Sequence, residues 1–231
     1  MNELAALLRQ VPLFSSLSPD ALESLAGRMR RRRMPDGAPI VYRGDPSGAL
    51  YVILSGRVKI HTMTLNGDEV ILDVKSAGDF FGEMSLLDGQ PRSADVSTLE
   101  PSEVALLDGE ALRETIAGQP GVAWTMLGAL SLRLRDQNAQ IEMLMTRDVA
   151  GRVANLLLHL ADTQGRTLTG GQVRIEVSLT QSDIAAFVGA TRERVSRVLT
   201  GFRGQGAIVW EKSSGHWLVC KRETLSKRAA M

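Results

Sequence analysis

Gly78-Asp79-Phe80-Phe81-Gly82-Glu83-Met84-Ser85-Leu86-Leu87-Asp88-Gly89-Gln90-Pro91-Arg92-Ser93-Ala94 is the most informative segment of this 231-residue chain. Gly82 lets backbone come close to a ligand. Residues 83–87 suit one helical turn, whose free N–H groups point at an anion. Arg92 can fork onto phosphate oxygens, and Ser93 adds a hydroxyl donor. Glu83 can accept hydrogen bonds from ribose hydroxyls. An arginine for a phosphate and a carboxylate for a sugar fit a small nucleotide carrying one phosphate charge. The same residues also suit an ordinary turn with a surface ion pair between Arg92 and a nearby carboxylate.

The segment closes a β-patterned region. From about Ala38 to Leu107, short apolar runs such as Leu50–Leu54, Val58–Ile60 and Val70–Val74 alternate with turns at Ser55-Gly56, Asn66-Gly67, Ala77-Gly78-Asp79 and Asp88-Gly89. Asn66-Gly67 is a hairpin signal because both residues tolerate positive φ. Many short strands at this spacing predict a barrel, roll or sandwich. Upstream, residues 2–10 and 18–30 have helical spacing, with Ser18 as cap and Pro19 at the first helical position. The run Arg30–Arg33 reads as a solvated charge block that ends at the turn Met34-Pro35-Asp36-Gly37.

Downstream, from about Gly109, the pattern is mainly helical. The segment from Val122 to Met145 is long for a globular helix. Leu127, Leu134 and Ile141 recur at seven-residue spacing, Leu130 and Leu144 form a companion row, and Gln137 stands between those two. That is a heptad seam, although a core-packed helix in a monomer gives the same spacing. The polar Gln137 favours a parallel dimer, because a lone polar seam residue can fix register at a cost in stability. A new helix starts at Asp148.

A second constellation follows. Thr180-Gln181-Ser182-Asp183 opens a helix with a capping-box pattern, and Ile184, Phe187 and Val188 supply its apolar face. Gly189-Ala190 makes a turn and Thr191 caps the next helix, Arg192-Glu193-Arg194-Val195-Ser196-Arg197-Val198-Leu199. Val195, Val198 and Leu199 face inward, while Arg192, Glu193 and Ser196 or Arg197 share an outer face. This is a helix-turn-helix pattern. Arginine can pair bidentately with guanine, and glutamate can accept from the cytosine amino group. Residues Gly206 to Val219 read as two strands around a polar turn, a wing. A helical hairpin with solvated charges is the plainer alternative.

Charge divides the chain in the same place. Through Asp148 there are 15 Lys and Arg against 20 Asp and Glu; from Val149 onward there are 12 against 6. The overall charge of +1 hides an acidic part and a basic part, and a basic module attracts phosphates at long range. A hydrophobic content of 44% with 23% charged residues excludes wholesale disorder. No apolar run approaches the ~20 residues of a membrane span, and the N-terminus has no basic start followed by an apolar block, so a cytoplasmic protein without membrane contact is expected. One cysteine, Cys220, excludes an intramolecular disulfide, an all-cysteine zinc site and a multi-cysteine iron–sulfur site. His61, His159 and His216 lie in no metal spacing, so neither metal nor cofactor is expected. No base stands beside a nucleophile, and an enzyme is not expected.

Together the two constellations resemble one family, the catabolite activator protein branch of the Crp/Fnr transcription regulators. The resemblance runs from about Val11 to Val219. Phe-Gly-Glu followed by Leu-Leu-x-Gly-x-x-Arg-Ser-Ala is similar to the phosphate-binding cassette of cyclic-nucleotide-binding domains, and the order cassette, long helix, winged helix-turn-helix separates these regulators from kinase and channel relatives. The resemblance implies an α+β fold with three parts. Residues 1–118 would form a double-stranded β-roll that binds cyclic nucleotides, 119–147 a dimerisation helix, and 148–231 a winged helix-turn-helix.

The resemblance also implies roles. Gly82 and Glu83 would meet the ribose, Arg92 and Ser93 the cyclic phosphate, Met84 would also touch the ligand, and Ile60 and Leu72 would line the pocket. Arg133 falls where relatives place an arginine near the cassette glutamate. Gln137 and Asn138 fall where cAMP-binding relatives hold a hydroxyl pair, or a hydroxyl and an amide, against adenine, and their longer side chains depart from that pattern. The implied ligand is cAMP, with a cyclic dinucleotide or no ligand as the alternative. Arg192, Glu193 and Arg197 would read base edges beside Thr191 and Ser196, Thr180, Gln181 and Ser182 would contact phosphates, and Arg194 would add a phosphate or base contact. The implied target is a palindrome with TGTGA-like half-sites, bound by a homodimer that also engages RNA polymerase. A ligand touching Gln137 would re-register the seam and so aim the DNA-binding modules. A regulatory subunit for a protein partner is disfavoured by the Arg192–Arg197 helix.

Overall fold

The computed structural model describes residues 3–46, 48–211 and 215–230. It contains two compact units, Met1–Thr62 with Leu72–Asp136, and Met63–Ile71 with Gln137–Met231.

In the first unit, helices α1 (Glu3–Leu8) and α2 (Pro19–Arg28) precede the strands. Ser18 caps α2 by accepting from the Ala21 N–H, with Pro19 at the first position, as expected. The strands are β1 (Arg30–Met34), β2 (Pro39–Val41), β3 (Ala49–Ser55), β4 (Arg57–Met63), β5 (Glu69–Ser76), β6 (Phe80–Phe81), β7 (Asp95–Thr98) and β8 (Ser102–Asp108), with the short helix α3 (Met84–Asp88) between β6 and β7. They form two four-stranded sheets, β1-β8-β3-β6 and β2-β7-β4-β5, which is the expected β-roll. Apolar residues of β3 and β8 point alternately into two clusters. One holds Leu50, Val52, Ala105 and Leu107 with the helices, and the other holds Tyr51, Ile53, Phe81, Val96 and Val104.

The β region starts earlier than Ala38. The arginine block is itself a strand, paired antiparallel with β8 from Arg30↔Leu106 to Met34↔Ser102. It is not wholly solvated. Arg31 donates from Nε to Glu103 Oε1 at 2.7 Å and from Nη1 to Glu3 Oε2 at 3.0 Å. An edge strand tolerates such charge, because it has one neighbour and a partly open face.

Helices α4 (Gly109–Gly118) and α5 (Pro120–Thr146) follow. Near its start α5 buries Val122 and Met126 in the N-terminal core, and Leu130 packs there too, so Leu130 does not belong wholly to the heptad seam. Leu127, Leu134 and Ile141 remain 54%, 59% and 55% exposed, an apolar stripe that this chain does not cover.

The second unit contains α6 (Val149–Thr163), β9 (Gly165–Thr167), β10 (Val173–Ile175), α7 (Gln181–Val188), α8 (Arg192–Gly204), β11 (Ile208–Glu211), β12 (His216–Val219) and α9 (Arg222–Ala230). The wing strands β11 and β12 pair antiparallel, but they belong to a four-stranded sheet, β11-β12-β10-β9. The wing turn Lys212-Ser213-Ser214 lies outside the described residues. Helix α6 presents Val153, Ala154, Leu156, Leu157 and Leu160 inward. No helix among the described residues is long and apolar enough to cross a membrane.

Candidate functional site

In the first unit the site is built on one glycine. Gly82 follows β6 with φ +83°, and a Cβ there would stand 2.5 Å from Arg92 Nη1 and 3.0 Å from Ala49 O. A side chain would therefore be strained by the backbone and would displace the arginine. Arg92 Nη1 donates to Gly82 O at 2.7 Å and to Ser85 Oγ at 2.9 Å, and Nη2 donates to Ala49 O at 2.6 Å. The guanidinium carbon lies 5.6 Å from the centroid of the Tyr51 ring, which stacks on Phe81.

Arg92 is 6% exposed and has no carboxylate within ion-pair distance among the described residues. Burial holds its pKa below the ordinary value, partly offset by Tyr51, Glu83 and Asp45. A buried cation held only by neutral acceptors is costly, and a nearby anion relieves that cost. The surface ion pair considered above is therefore not what this arginine makes.

Glu83 is 4% exposed and accepts from Arg133 Nη1 at 2.8 Å through Oε1. Arg133 also donates from Nη2 to Phe80 O at 2.5 Å and sits 4.4 Å from the Phe80 ring centroid. Glu83 Oε2 accepts no bond from the described residues, so it remains available to a hydroxyl donor. Helix α3 begins right after Glu83, whose carbonyl accepts from the Leu86 and Leu87 N–H groups at 3.0 Å, while the Met84 and Ser85 N–H groups have no intrahelical acceptor. Ser93 Oγ lies 3.8 Å from Met84 Sδ.

The structure thus brings Gly82, Glu83, Met84, Arg92, Ser93 and Arg133 into one cluster. Ile60 packs half-buried against the second N-terminal core cluster, and Leu72 is 38% exposed on β5. Gln137 and Asn138 are exposed on α5, with Gln137 one helical turn beyond Arg133. The residues that sequence reasoning missed are Tyr51, Ser85 and the Ala49 carbonyl, which fix the guanidinium. No local pattern marks the two on β3, which lies about 40 positions from Arg92.

In the second unit, Thr180 caps α7 in a reciprocal capping box. Its Oγ1 accepts from the Asp183 N–H at 3.1 Å, while Asp183 Oδ2 accepts from the Thr180 N–H at 2.9 Å and from its hydroxyl at 2.6 Å. Both donors of Thr180 are committed to Asp183, which leaves Gln181 and Ser182 as the donors open to a phosphate. Gly189 ends α7 at φ +61°, and Arg152 Nη1 from α6 donates to Val188 O at 2.7 Å. This guanidinium at the helix C-terminus braces the turn, and sequence reasoning had not flagged it.

Thr191 caps α8 by accepting from the Arg194 N–H at 3.4 Å. Val195, Leu199 and Phe202 are buried, while Arg192, Glu193, Arg194 and Arg197 are exposed and Ser196 is half-buried. At about 100° per residue, Arg192, Ser196, Glu193 and Arg197 share one arc of ~140° that starts beside the buried Leu199, and Arg194 lies ~60° beyond its far end. The Glu193 carboxyl is held below the usual carboxylate range by its own backbone N–H and the Thr191 hydroxyl, so it is an acceptor at neutral pH. Arg192, Arg194 and Arg197 make no ion pair among the described residues. No group of three or more metal-ligating side chains occurs among the described residues.

Residues 31–119 match the model of the cyclic nucleotide-binding domain, and residues 151–228 match the Crp-like helix-turn-helix domain. The chain is 36% identical over 223 residues to the CRP-like cAMP-activated global transcriptional regulator of Mycobacterium tuberculosis, covering 96% of this chain and 98% of that protein. It is 35% identical over 197 residues to the cyclic AMP receptor protein of Thermus thermophilus, covering 85% and 88%. Among solved structures, the c-di-GMP responsive global regulator CLP of Xanthomonas campestris superposes with a TM-score of 0.74 at 25% identity, covering 87% of this chain and 99% of that one.

Proposed function

The chain belongs to the CRP/FNR family of DNA-binding transcription regulators governed by a cyclic-nucleotide-binding domain, and we propose that this member is a homodimer that binds cAMP and then a palindromic TGTGA-like duplex. The observation that carries the ligand reading is the buried Arg92 guanidinium with neutral acceptors only. The cyclic phosphate supplies the anion there, with Ser93 and the Met84 and Ser85 N–H groups as further donors. Glu83, oriented by Arg133, accepts from the ribose 2′-hydroxyl, and Met84, Ile60 and Leu72 give apolar contact. Gln137 and Asn138 donate to and accept from the purine edge. The two relatives named for cAMP support this choice.

For DNA, Arg192, Glu193 and Arg197 read base edges in the major groove, with Ser196 and Thr191 beside them. Gln181, Ser182 and Arg194 contact phosphates, and Thr180 positions the first two through its capping box. The uncovered Leu127, Leu134 and Ile141 stripe supports a parallel dimer through α5, with nucleotide binding assigned to residues 1–118 and DNA binding to 148–231. Regulation then acts through RNA polymerase, in the cytoplasm. The coupling of ligand to DNA is set by the difference in ligand affinity between two states, typically ~1–3 kcal/mol.

Calorimetric titration with cAMP, cGMP and c-di-GMP tests the ligand, and the affinity for a TGTGA palindrome with and without cAMP at fixed salt tests the coupling. Tight cAMP binding with a five-fold or larger gain in DNA affinity is expected; no gain rejects the allosteric part. A c-di-GMP regulator is the second reading, favoured by the long Gln137 and Asn138 side chains and by the Xanthomonas neighbour. It is adopted if c-di-GMP alone binds.

A further inference from the structure

Beside the wing lies a cavity of about 300 Å³ that none of the roles above employs. Its walls include Leu179 and Thr180 before α7, Gln181, Arg203 near the end of α8, and the cross-strand pair Trp210 and Trp217. The two indoles meet edge to face, with centroids 4.9 Å apart.

Three features define what the cavity fits. First, its size is at the lower end of the roughly 300–1,000 Å³ typical of small-molecule sites, which suits a molecule of one or two rings. Second, its apolar surface is largely aromatic, and aromatic walls favour a planar aromatic guest. Third, the charged group among its lining residues is a cation, and one of its indoles has an unpartnered N–H. Trp217 is 5% exposed, and its indole N–H has no hydrogen-bond partner among the described residues, although buried indole N–H groups ordinarily have one. Arg203 is exposed and makes no ion pair among the described residues, and no acidic residue lines the cavity. The complementary guest carries a negative charge and at least one acceptor.

We propose that this cavity is a binding site for a small aromatic carboxylate, whose ring packs against the wall formed by Trp210 and Trp217 and whose carboxylate faces Arg203. The site does not depend on the nucleotide cassette. Its consequence for DNA does rest on the reading above. Gln181 borders the cavity and is assigned a phosphate contact, so an occupant there competes with the duplex.

The test uses the full chain and 2-naphthoate as probe. The protein has three tryptophans, so its indole N–H region in a ¹H–¹⁵N correlation spectrum holds three signals, assignable with Trp124→Phe and Trp210→Phe. The Trp210 and Trp217 signals should shift along one isotherm while that of exposed Trp124 stays fixed. Arg203→Ala should weaken 2-naphthoate about tenfold, through loss of a charge-assisted contact, and leave the neutral 2-naphthamide unaffected. The site is rejected if Trp210 and Trp217 do not move at millimolar probe, if Trp124 moves with them, or if Arg203→Ala changes nothing. Saturating 2-naphthoate should also weaken DNA binding. An unchanged DNA affinity beside a positive spectrum rejects only the DNA consequence and leaves the site standing.

Discussion

In the proposed function Arg92 meets a cyclic phosphate and the trio Arg192, Arg194 and Arg197 meets DNA, and the two stand in opposite surroundings. Arg92 is buried, held by three neutral acceptors, and its pKa is lowered by desolvation. The trio is exposed, without ion pairs among the described residues, on a helix whose other side is buried. A desolvated guanidinium in a fixed cradle discriminates by shape and feels little of the surrounding salt. A solvated trio attracts a polyanion from a distance, discriminates weakly until base edges are reached, and releases counterions on binding. On the proposed function, one chemical group serves a small ligand in one unit and a polymer in the other.

Salt separates the two most sharply. Between 50 and 200 mM salt, DNA affinity should fall by roughly 10³ or more, as for a protein with several phosphate contacts, while cAMP affinity changes less than about threefold. Parallel titrations at four salt concentrations measure both, and equal slopes would break the contrast. Next in size is Arg92→Leu. Losing two charged hydrogen bonds at ~1.5 kcal/mol or more each should weaken cAMP about 100-fold by calorimetry, with the circular dichroism spectrum retained. Normal cAMP binding by that variant removes the cassette assignment.

Arg192→Ala should cost about 1–3 kcal/mol at the TGTGA site and relax preference at one base pair, whereas Arg194→Ala should lower affinity alike for all sequences and reduce the salt slope by about one. Competition assays with single-base variants distinguish these, and a uniform loss in Arg192→Ala would move that residue to the phosphate group. The capping box gives a smaller effect. Asp183→Ala should destabilise the second unit by about 1–2 kcal/mol in urea and leave cAMP affinity unchanged.

The smallest effect tests the arginine strand. Arg31 holds the Glu103 carboxyl below the usual range. The pair's contribution is therefore present above the unfolded carboxylate pKa and is lost as pH falls through the lower folded value. Glu103→Gln should cost up to about 1 kcal/mol at pH 7, and that difference should shrink below about pH 4. A difference that grows on acidification would reverse the assigned sign.

Much of this architecture is legible in residue order. Ser18-Pro19, Asp148, Thr180…Asp183 and Thr191 each mark a helix start, and each is a cap in the fold. These signals act within four residues, so no distant contact can mask them. Three elements were less legible. The arginine strand β1 has no apolar alternation, because its residues face either a partner or solvent. The three-residue strands β9 and β10 are too short to show a period. Leu130 carries the heptad spacing yet packs into the N-terminal core, because seven-residue periodicity cannot tell which body fills the groove.

Residue types and spacing alone determined the change from strand to helix pattern, the capped helix starts and the split of charge, and resemblance to a family added the cassette and the helix-turn-helix. Folding in three dimensions decided which acceptors hold Arg92, that Glu83 is oriented by Arg133, and that Arg152 braces the turn at Gly189. The Arg92–Ala49, Arg133–Glu83 and Arg152–Val188 bonds join residues 43, 50 and 36 positions apart. Capping and periodicity are short-range properties of a chain. Desolvation and the choice of partner exist only after distant segments have packed together and excluded water.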